Sequence, residues 1–288
     1  MNGQRCRACG LNNAEFLFQV GDNRVVRCPG CTHVFLDIVH TPESIRQMYD
    51  AYQNPGNDFY FERIDEEVTS HFDDYLRACR EHCKTGSRVL RLLDIGCGNG
   101  ALLSRAKKQA FVSEGIETCA PLADAVRKKL DCPVHSTLLS QCRFSPETFD
   151  VVTMYDLIEH LQDPIQDLRR IQLWLKPSGV LFVLTPNDNA LLRRVARLAY
   201  RSTLHMVRRP MHTLYYHHHL SYFTSRSLRS IFEGIGIDMI HIETRNQEMS
   251  RLNLSATERI AVNLIFAASK PFPGSGGKLL AWGRRRTL

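Results

Sequence analysis

The 288-residue sequence has no run near the ~18 consecutive apolar residues of a membrane-spanning helix. The nearest, IAVNLIFAAS from Ile260 to Ser269, is about half that length. The opening MNGQRCRACG lacks the apolar core of a secretory leader, so a cytoplasmic location is expected. No repeat or low-complexity segment appears. No strong charge of one sign dominates: the formal +7 and pI near 8.9 permit an anionic partner without demanding one. What is abundant is cysteine. Ten in a chain without a leader are expected as metal ligands or buried thiols, since a reducing compartment disfavours disulfides. The length suits one sizeable α/β domain with an appendage.

Four cysteines form two C-x-x-C pairs, Cys6/Cys9 and Cys28/Cys31, with 18 residues between the pairs. Each pair can occupy its own turn and place two sulfurs at the corners of a tetrahedron. The residues between read as two strands joined by Gly21-Asp22-Asn23, the outline of a zinc ribbon. So short a segment buries little core, and a metal cross-link stabilises it where packing cannot. His33 is a bystander to this set. Cys79, Cys83, Cys97, Cys119, Cys132 and Cys142 show no ligand spacing and read as core or surface residues.

Thr41-Pro42-Glu43 signals a helix start, and Asn54-Pro55-Gly56-Asn57 a loop. Ile64, Val68, Phe72, Tyr75, Leu76 and Cys79 form a helical stripe that ends before Gly86. Strands and helices then alternate. RVLRLLDIG, FVSEGIET, PVHSTLL, FDVVTMY and GVLFVLTPN read as strands. ALLSRAKKQA, PLADAVRKKL and DPIQDLRRIQLWLK read as helices, the last ended by Pro177-Ser178-Gly179. Continuous apolar strands mean both sheet faces are covered, which predicts a doubly wound, mostly parallel, Rossmann-like α/β sheet with its ligand at the strands' carboxyl ends.

At the first of those ends stands LLDIGCGNG. Its glycines, Gly96, Gly98 and Gly100, space as G-x-G-x-G, whereas a pyrophosphate fingerprint is G-x-G-x-x-G. Asp94, two residues earlier, would repel a pyrophosphate and favour a cation such as an amino-acid ammonium. Glu117 ends the second strand, where a carboxylate can accept from ribose hydroxyls. Ribose and ammonium without phosphate describe S-adenosylmethionine.

LLDIGCGNG, EGIE, FDVVTMYDLIEHLQDP and LKPSGVLFVLTPN, in this order, resemble the successive motifs of class I S-adenosylmethionine-dependent methyltransferases. They are most similar to the branch containing ubiquinone-biosynthesis O-methyltransferases and small-molecule and polysaccharide O-methyltransferases. VRCPGCTHVFLDIVHTPESIRQMYDAY resembles the zinc-ribbon leader attached to that branch. The resemblance implies a seven-stranded sheet, with Asp94, Gly96, Gly98 and Gly100 around the methionine part, Glu117 on the ribose, and Asp156 facing the methionine end or the substrate. Relatives place an aspartate after the third strand for the adenine amino group. Here HSTLLSQCRF has no acid, and Thr137 or Leu138 stands there with a backbone contact. The implied division is a ribbon over 1–40, a helical linker or lid over 41–85, and the methyltransferase domain over 86–288 with a basic helical insert at about 188–215.

Methyl transfer to a hydroxyl requires alignment and a base for the proton. Two stretches offer candidates: DLIEHL, with Asp156, Glu159 and His160, and HTLYYHHHLSYFT, with His212, Tyr215, Tyr216, His217, His218, His219 and Tyr222. The base is expected to be His160 or a member of the triplet, with His219 foremost because three adjacent side chains cannot all point inward. Asp156, Glu159 and His160 form D-x-x-E-H. With a distant histidine this resembles the divalent-metal site of RNA 3′-end 2′-O-methyltransferases and of some ubiquinone O-methyltransferases, although a glutamate is usual where Asp156 stands. A Mg ion at Glu159/His160 would acidify the acceptor.

The insert ALLRRVARLAYRSTLHMVRRP carries six arginines and no acid. Leu191, Leu192, Val195, Leu198 and Ala199 fall at helical spacing. It reads as a lid helix with a solvated basic face, with peripheral membrane contact and nucleic-acid binding as alternatives. Downstream, SLRSIFEGIG and TERIAVNLIFAA read as helices, IDMIHIET as the sixth strand, and GGKLLAWGRRR as the seventh, inserted antiparallel beside the fifth. The expected acceptor is a hydroxyl of a small molecule, sugar or lipid-linked intermediate. An RNA methyltransferase and a non-catalytic scaffold are the rivals.

Overall fold

The structure, a computed structural model, describes residues 5–38, 66–215, 219–247, 249, 252 and 254–287. The expected helix start at Thr41, the loop at Asn54–Asn57, and Ile64, Tyr216, His217 and His218 lie outside the described residues.

A seven-stranded sheet forms the body, and its strands follow the apolar runs of the sequence. In chain order they are β4 (Arg91–Ile95), β5 (Val112–Ile116), β6 (Val134–His135), β7 (Phe149–Tyr155), β8 (Leu175–Pro186), β10 (Ile237–Arg245) and β11 (Lys278–Arg285). Their order across the sheet is β10-β11-β8-β7-β4-β5-β6. β4 through β8 run parallel, while β11 is antiparallel to both β8 and β10. The expected antiparallel seventh strand is therefore present beside the fifth.

Strand alternation sends successive residues to opposite faces. Leu93, Ile95, Val152, Met154, Leu181 and Val183 pack with α4 (Pro164–Trp174) and α7 (Ser225–Gly234). Leu92, Val151, Val180 and Phe182 pack on the other face with α1 (Glu66–His82), α2 (Ala101–Lys108) and α3 (Ala120–Leu130). Val68, Phe72, Tyr75, Leu76 and Cys79 of α1 are buried there, as their spacing predicts. Of the six further cysteines, Cys79, Cys97, Cys119 and Cys142 are buried and Cys83 and Cys132 partly so, all as free thiols.

Two expectations are corrected. Pro177-Ser178-Gly179 does not end a helix: α4 stops at Trp174 and these residues begin β8. Ser178 has a φ of +61°, and a Cβ at Gly179 would come within 2.9 Å of the Lys176 carbonyl oxygen, so the irregular strand start needs these residues. The third strand is only Val134–His135 of the longer PVHSTLL.

The head forms β1 (Glu15–Val20), β2 (Asn23–Arg27) and β3 (Val34–Leu36). β1 and β2 are an antiparallel hairpin closed at Val20 and Asn23, with Gly21 at φ +58° in the turn. β3 also pairs antiparallel with β9 (Ser221–Tyr222), a strand from the histidine region. The insert forms α5 (Leu191–Ser202) and α6 (Arg209–Leu214), which pack onto β1–β3 through Ala196, Tyr200, Met211 and Tyr215. α8 (Ala256–Ser269) packs against α5.

Candidate active site and metal cluster

Four sulfurs converge in the head. Cys6 and Cys31 lie 3.6 Å apart and Cys9 and Cys28 3.5 Å apart, with all four sulfurs within 4.8 Å of one another. Tetrahedral zinc with Zn–S of about 2.3 Å requires sulfurs about 3.8 Å apart, so the donor set fits the ion. The pairing of each turn's first cysteine with the other turn's second is what a C-x-x-C framework produces. His33 is not in the cluster. It is buried against the Phe223 ring at 4.6 Å, with Nε2 3.3 Å from Ser221 Oγ.

β4 and β7 are neighbours from which the chain winds in opposite directions, and the carboxyl end of this pair is the sheet's ligand position. Gly96, Gly98 and Gly100 follow β4 with φ of +74°, +52° and +75°. A side chain at any of them is strained, and a Cβ on Gly100 would meet Val126 at 2.7 Å. The turn thus presents backbone, rather than side chains, at the carboxyl end of β4.

Asp94 is buried there, accepting from Thr153 Oγ1 at 2.7 Å across the β4–β7 junction. Burial, with repulsion from Glu117, raises its pKa to about 7 against the help of Thr153. A carboxylate held at this cost is stabilised by an arriving ammonium. Glu117, just past β5, accepts from the Gly98 amide at 2.9 Å through Oε2 and from the Cys119 amide at 2.8 Å through Oε1. One carboxylate ties the glycine turn to the start of α3. Thr137, just past β6, donates its hydroxyl to Gln141 at 3.0 Å.

The second group lies past β7 and β8. Asp156 has φ of +49° and pairs with Lys278 of β11. Glu159 and His160 occupy a short 3₁₀ turn, Ile158–His160. Glu159 is fully buried. Its Oε2 accepts from Thr185 at 2.9 Å, and its Oε1 has no hydrogen-bond partner among the described residues. Burial first, then Asp156, raises its pKa to about 8. The His160 and His219 rings meet edge to face at 4.7 Å, and one ligand atom from each of Glu159, His160 and His219 lies within 4.8 Å of the others. Burial, then His160 and Lys278, holds His219 well below its ordinary pKa.

β9 explains how residues so distant meet. The Leu36 amide of β3 donates to the Leu220 carbonyl at 3.0 Å, and the Leu220 amide donates to the Glu159 carbonyl at 2.8 Å. The ribbon, His219 and Glu159 are therefore linked through one backbone. Of the other expected residues, Tyr215 and Tyr222 are buried and His212 is exposed on α6. Tyr215 donates to Asp188 at 2.8 Å, which Arg197 also contacts at 2.8 Å. Sequence reasoning passed over Thr153, Thr185, Lys278 and Leu220. Only Thr153 left a signal, as a hydroxyl inside an otherwise apolar strand.

The sheet order, the antiparallel β11 and an acid-bearing glycine turn define the class, a Rossmann-like α/β domain. Residues 60–242 match the family described as "Methyltransferase domain", and the chain belongs to it, as a class I S-adenosylmethionine-dependent methyltransferase domain with an N-terminal four-cysteine cluster. It is 36% identical over 107 residues to the "Ubiquinone biosynthesis O-methyltransferase" of Histophilus somni (strain 2336), a match covering 34% of this chain and 45% of that protein. The chain spans about half the length of the curated relatives it matches. Among solved structures it is similar to the [4+2]-cyclase SpnF, with a TM-score of 0.58 and 14% identity over 87% of this chain and 98% of that one. It is also similar to the 1,6-didemethyltoxoflavin-N1-methyltransferase of Burkholderia thailandensis, with a TM-score of 0.57 and 13% identity over 95% of this chain and 100% of that one. These likenesses concern the fold.

Proposed function

We propose that this chain transfers the methyl group of S-adenosylmethionine to a hydroxyl of a small-molecule, sugar or lipid-linked acceptor. The observation that carries the reading is the convergence of Glu159, His160 and His219 within 4.8 Å, just past the carboxyl ends of β7 and β8. The ubiquinone O-methyltransferase relatives support a hydroxyl acceptor.

S-adenosylmethionine supplies an electrophilic methyl on a sulfonium. Asp94 would hold the ammonium, the amides of the glycine turn would surround the methionine part, and Glu117 would accept from the ribose. Thr137 stands on the adenine side. With the cofactor bound, an acceptor hydroxyl held beside its methyl would have to be aligned and relieved of its proton. With no cation bound, His160 or His219 would take the hydroxyl proton.

Glu159, His160 and His219 also suit a divalent cation. Bound there, a cation lowers the pKa of a coordinated hydroxyl. One carboxylate and two imidazoles fit a transition metal such as Mn or Zn better than Mg, which prefers oxygen ligands.

A methyl-transfer screen over hydroxylic acceptors, with the methylated atom located by mass spectrometry, tests the reading. Transfer to oxygen is expected, and transfer only to nitrogen or carbon would overturn it. Chelation that leaves the ribbon's metal content intact should remove most turnover. Full activity after it would exclude the cation while leaving O-methylation standing.

A further inference from the structure

α5 is turned the opposite way from its sequence pattern. The apolar stripe that should face inward does not: Val195 and Leu198 are exposed, Leu198 by 69%. The residues buried on its inner face are Arg193, Ala196 and Tyr200. The inversion has a cause. The Arg193 guanidinium lies 4.8 Å from the Tyr215 ring and 4.9 Å from the Tyr222 ring, and Arg197 pairs with Asp188 at 2.8 Å. Two aromatic faces and one carboxylate hold the arginines inside, and this leaves Val195 and Leu198 outside, with Leu191 and Leu192 half-buried.

The following loop continues the pattern. Leu204 and Met206 are more than four-fifths exposed, at 87% and 83%. The loop is nonetheless built. Thr203 Oγ1 donates to the Ala199 carbonyl at 2.7 Å and accepts from the Val207 amide at 3.2 Å, and the His205 ring stacks on Tyr200 at 4.4 Å. α8, packed beside α5, presents Ile260 and Leu264 outward. Leu191 N–H bonds the Ser275 carbonyl at 2.9 Å, and Arg209 reaches Glu258 at 3.4 Å, so both ends of the insert are tied to α8 and its flanks.

Seven of the 13 exposed large apolar side chains among the described residues belong to this face. Arg194, Arg201 and Arg208 are exposed among them, and residues 191–215 contain no acid. Phosphates alone would leave these aliphatic groups in water. A second copy of the chain would bring like charges together. Aliphatic side chains framed by exposed arginines match an anionic bilayer, where hydrocarbon lies beneath negative headgroups.

We propose that the face formed by α5, the loop over 203–208 and α8 docks on the surface of an anionic lipid membrane. α5 starts just after β8 ends, so the docked face lies at the same end of the sheet as the candidate active site. Docking depends neither on which atom is methylated nor on turnover.

Flotation of the whole chain with vesicles tests it. Protein should float with phosphatidylcholine vesicles containing phosphatidylglycerol and not with phosphatidylcholine alone. Leu198→Glu with Leu264→Glu should cut binding at least about tenfold, and Arg194→Gln with Arg201→Gln by a similar factor that high salt reproduces in the unaltered chain. All these side chains are exposed, and unchanged S-adenosylmethionine affinity in the variants shows that they fold. Absence of flotation, or flotation retained by both variants, overturns the proposal. So does arginine-dependent binding to an RNA oligonucleotide without vesicle binding, or a dimer that Leu198→Glu dissociates.

Discussion

Glu117 Oε2 accepts from the amide of Gly98 at 2.9 Å, so the proposed ribose acceptor and the glycine turn are one hydrogen-bonded unit. The other oxygen holds the Cys119 amide. Glu117→Ala should therefore weaken S-adenosylmethionine binding in two ways, by losing the ribose acceptor and by loosening the turn. Hydrogen bonds to a charged group contribute about 1.5–3 kcal/mol each, so calorimetry should show affinity lower by at least about tenfold. Glu117→Gln, which keeps only one acceptor oxygen, should fall between. Unchanged affinity in Glu117→Ala would remove Glu117 from the cofactor site.

Asp94 predicts a pH dependence. Its folded pKa is raised to about 7 from an ordinary value near 3.8. A raised carboxylate favours the folded state at low pH and costs stability as pH climbs through the folded value, because the unfolded chain then binds fewer protons. The ionised form is the one that meets an ammonium. S-adenosylmethionine affinity should therefore rise about tenfold between about pH 6 and pH 8, and binding below pH 7 should release a proton. Asp94→Asn should flatten both the affinity profile and the loss of ligand-free stability between about pH 4 and pH 7. Calorimetry in buffers of different ionisation enthalpy measures the proton directly. A flat profile in the unaltered chain would mean that Asp94 does not meet the ammonium.

What could be read in the sequence follows from sequence distance. Asp94, the glycines and Glu117 sit at the ends of consecutive strands, where pattern and position coincide. Glu159 and His160 are legible because they are adjacent, and His219 because it belongs to three consecutive histidines that cannot all point inward. Lys278 meets Asp156 across 122 residues, and no local pattern announces that pair. Thr185 reaches Glu159 for a similar reason. α5 departs from its apolar pattern for a physical cause: helical periodicity treats arginine as outward, and it cannot foresee two tyrosine rings arriving from β9 and the end of α6.

Cofactor binding and ribbon integrity should fail separately. Gly98→Val places a β-branched residue at φ +52° in the ligand turn and should abolish S-adenosylmethionine binding while zinc content stays unchanged. Asp94→Lys should do the same by putting a cation against the ammonium. Cys28→Ser should do the reverse, releasing the metal while leaving cofactor affinity within about threefold. It should still reduce turnover at least about tenfold, because β3 holds Leu220, and Leu220 holds the Glu159 turn beside His219. Zinc analysis, calorimetry and turnover on the same samples separate the two lesions. Full turnover in metal-free Cys28→Ser would show that the ribbon does not position the site.

The Lys278–Asp156 pair joins the last strand to the loop past β7, with side chains 14% and 3% exposed. A buried pair contributes little over apolar replacements, yet removing one partner strands the other's charge. Lys278→Met should therefore destabilise by about 3 kcal/mol, and Asp156→Asn by a similar amount. The double variant should recover most of the loss, costing about 1 kcal/mol, which gives a coupling of about 5 kcal/mol in a denaturant double-mutant cycle. Its activity should not recover with its stability, because Asp156 also lies beside the candidate cofactor and acceptor groups. Additive single effects would show that the two charges are screened from each other, and recovery of turnover in the double variant would show that Asp156 serves the fold alone.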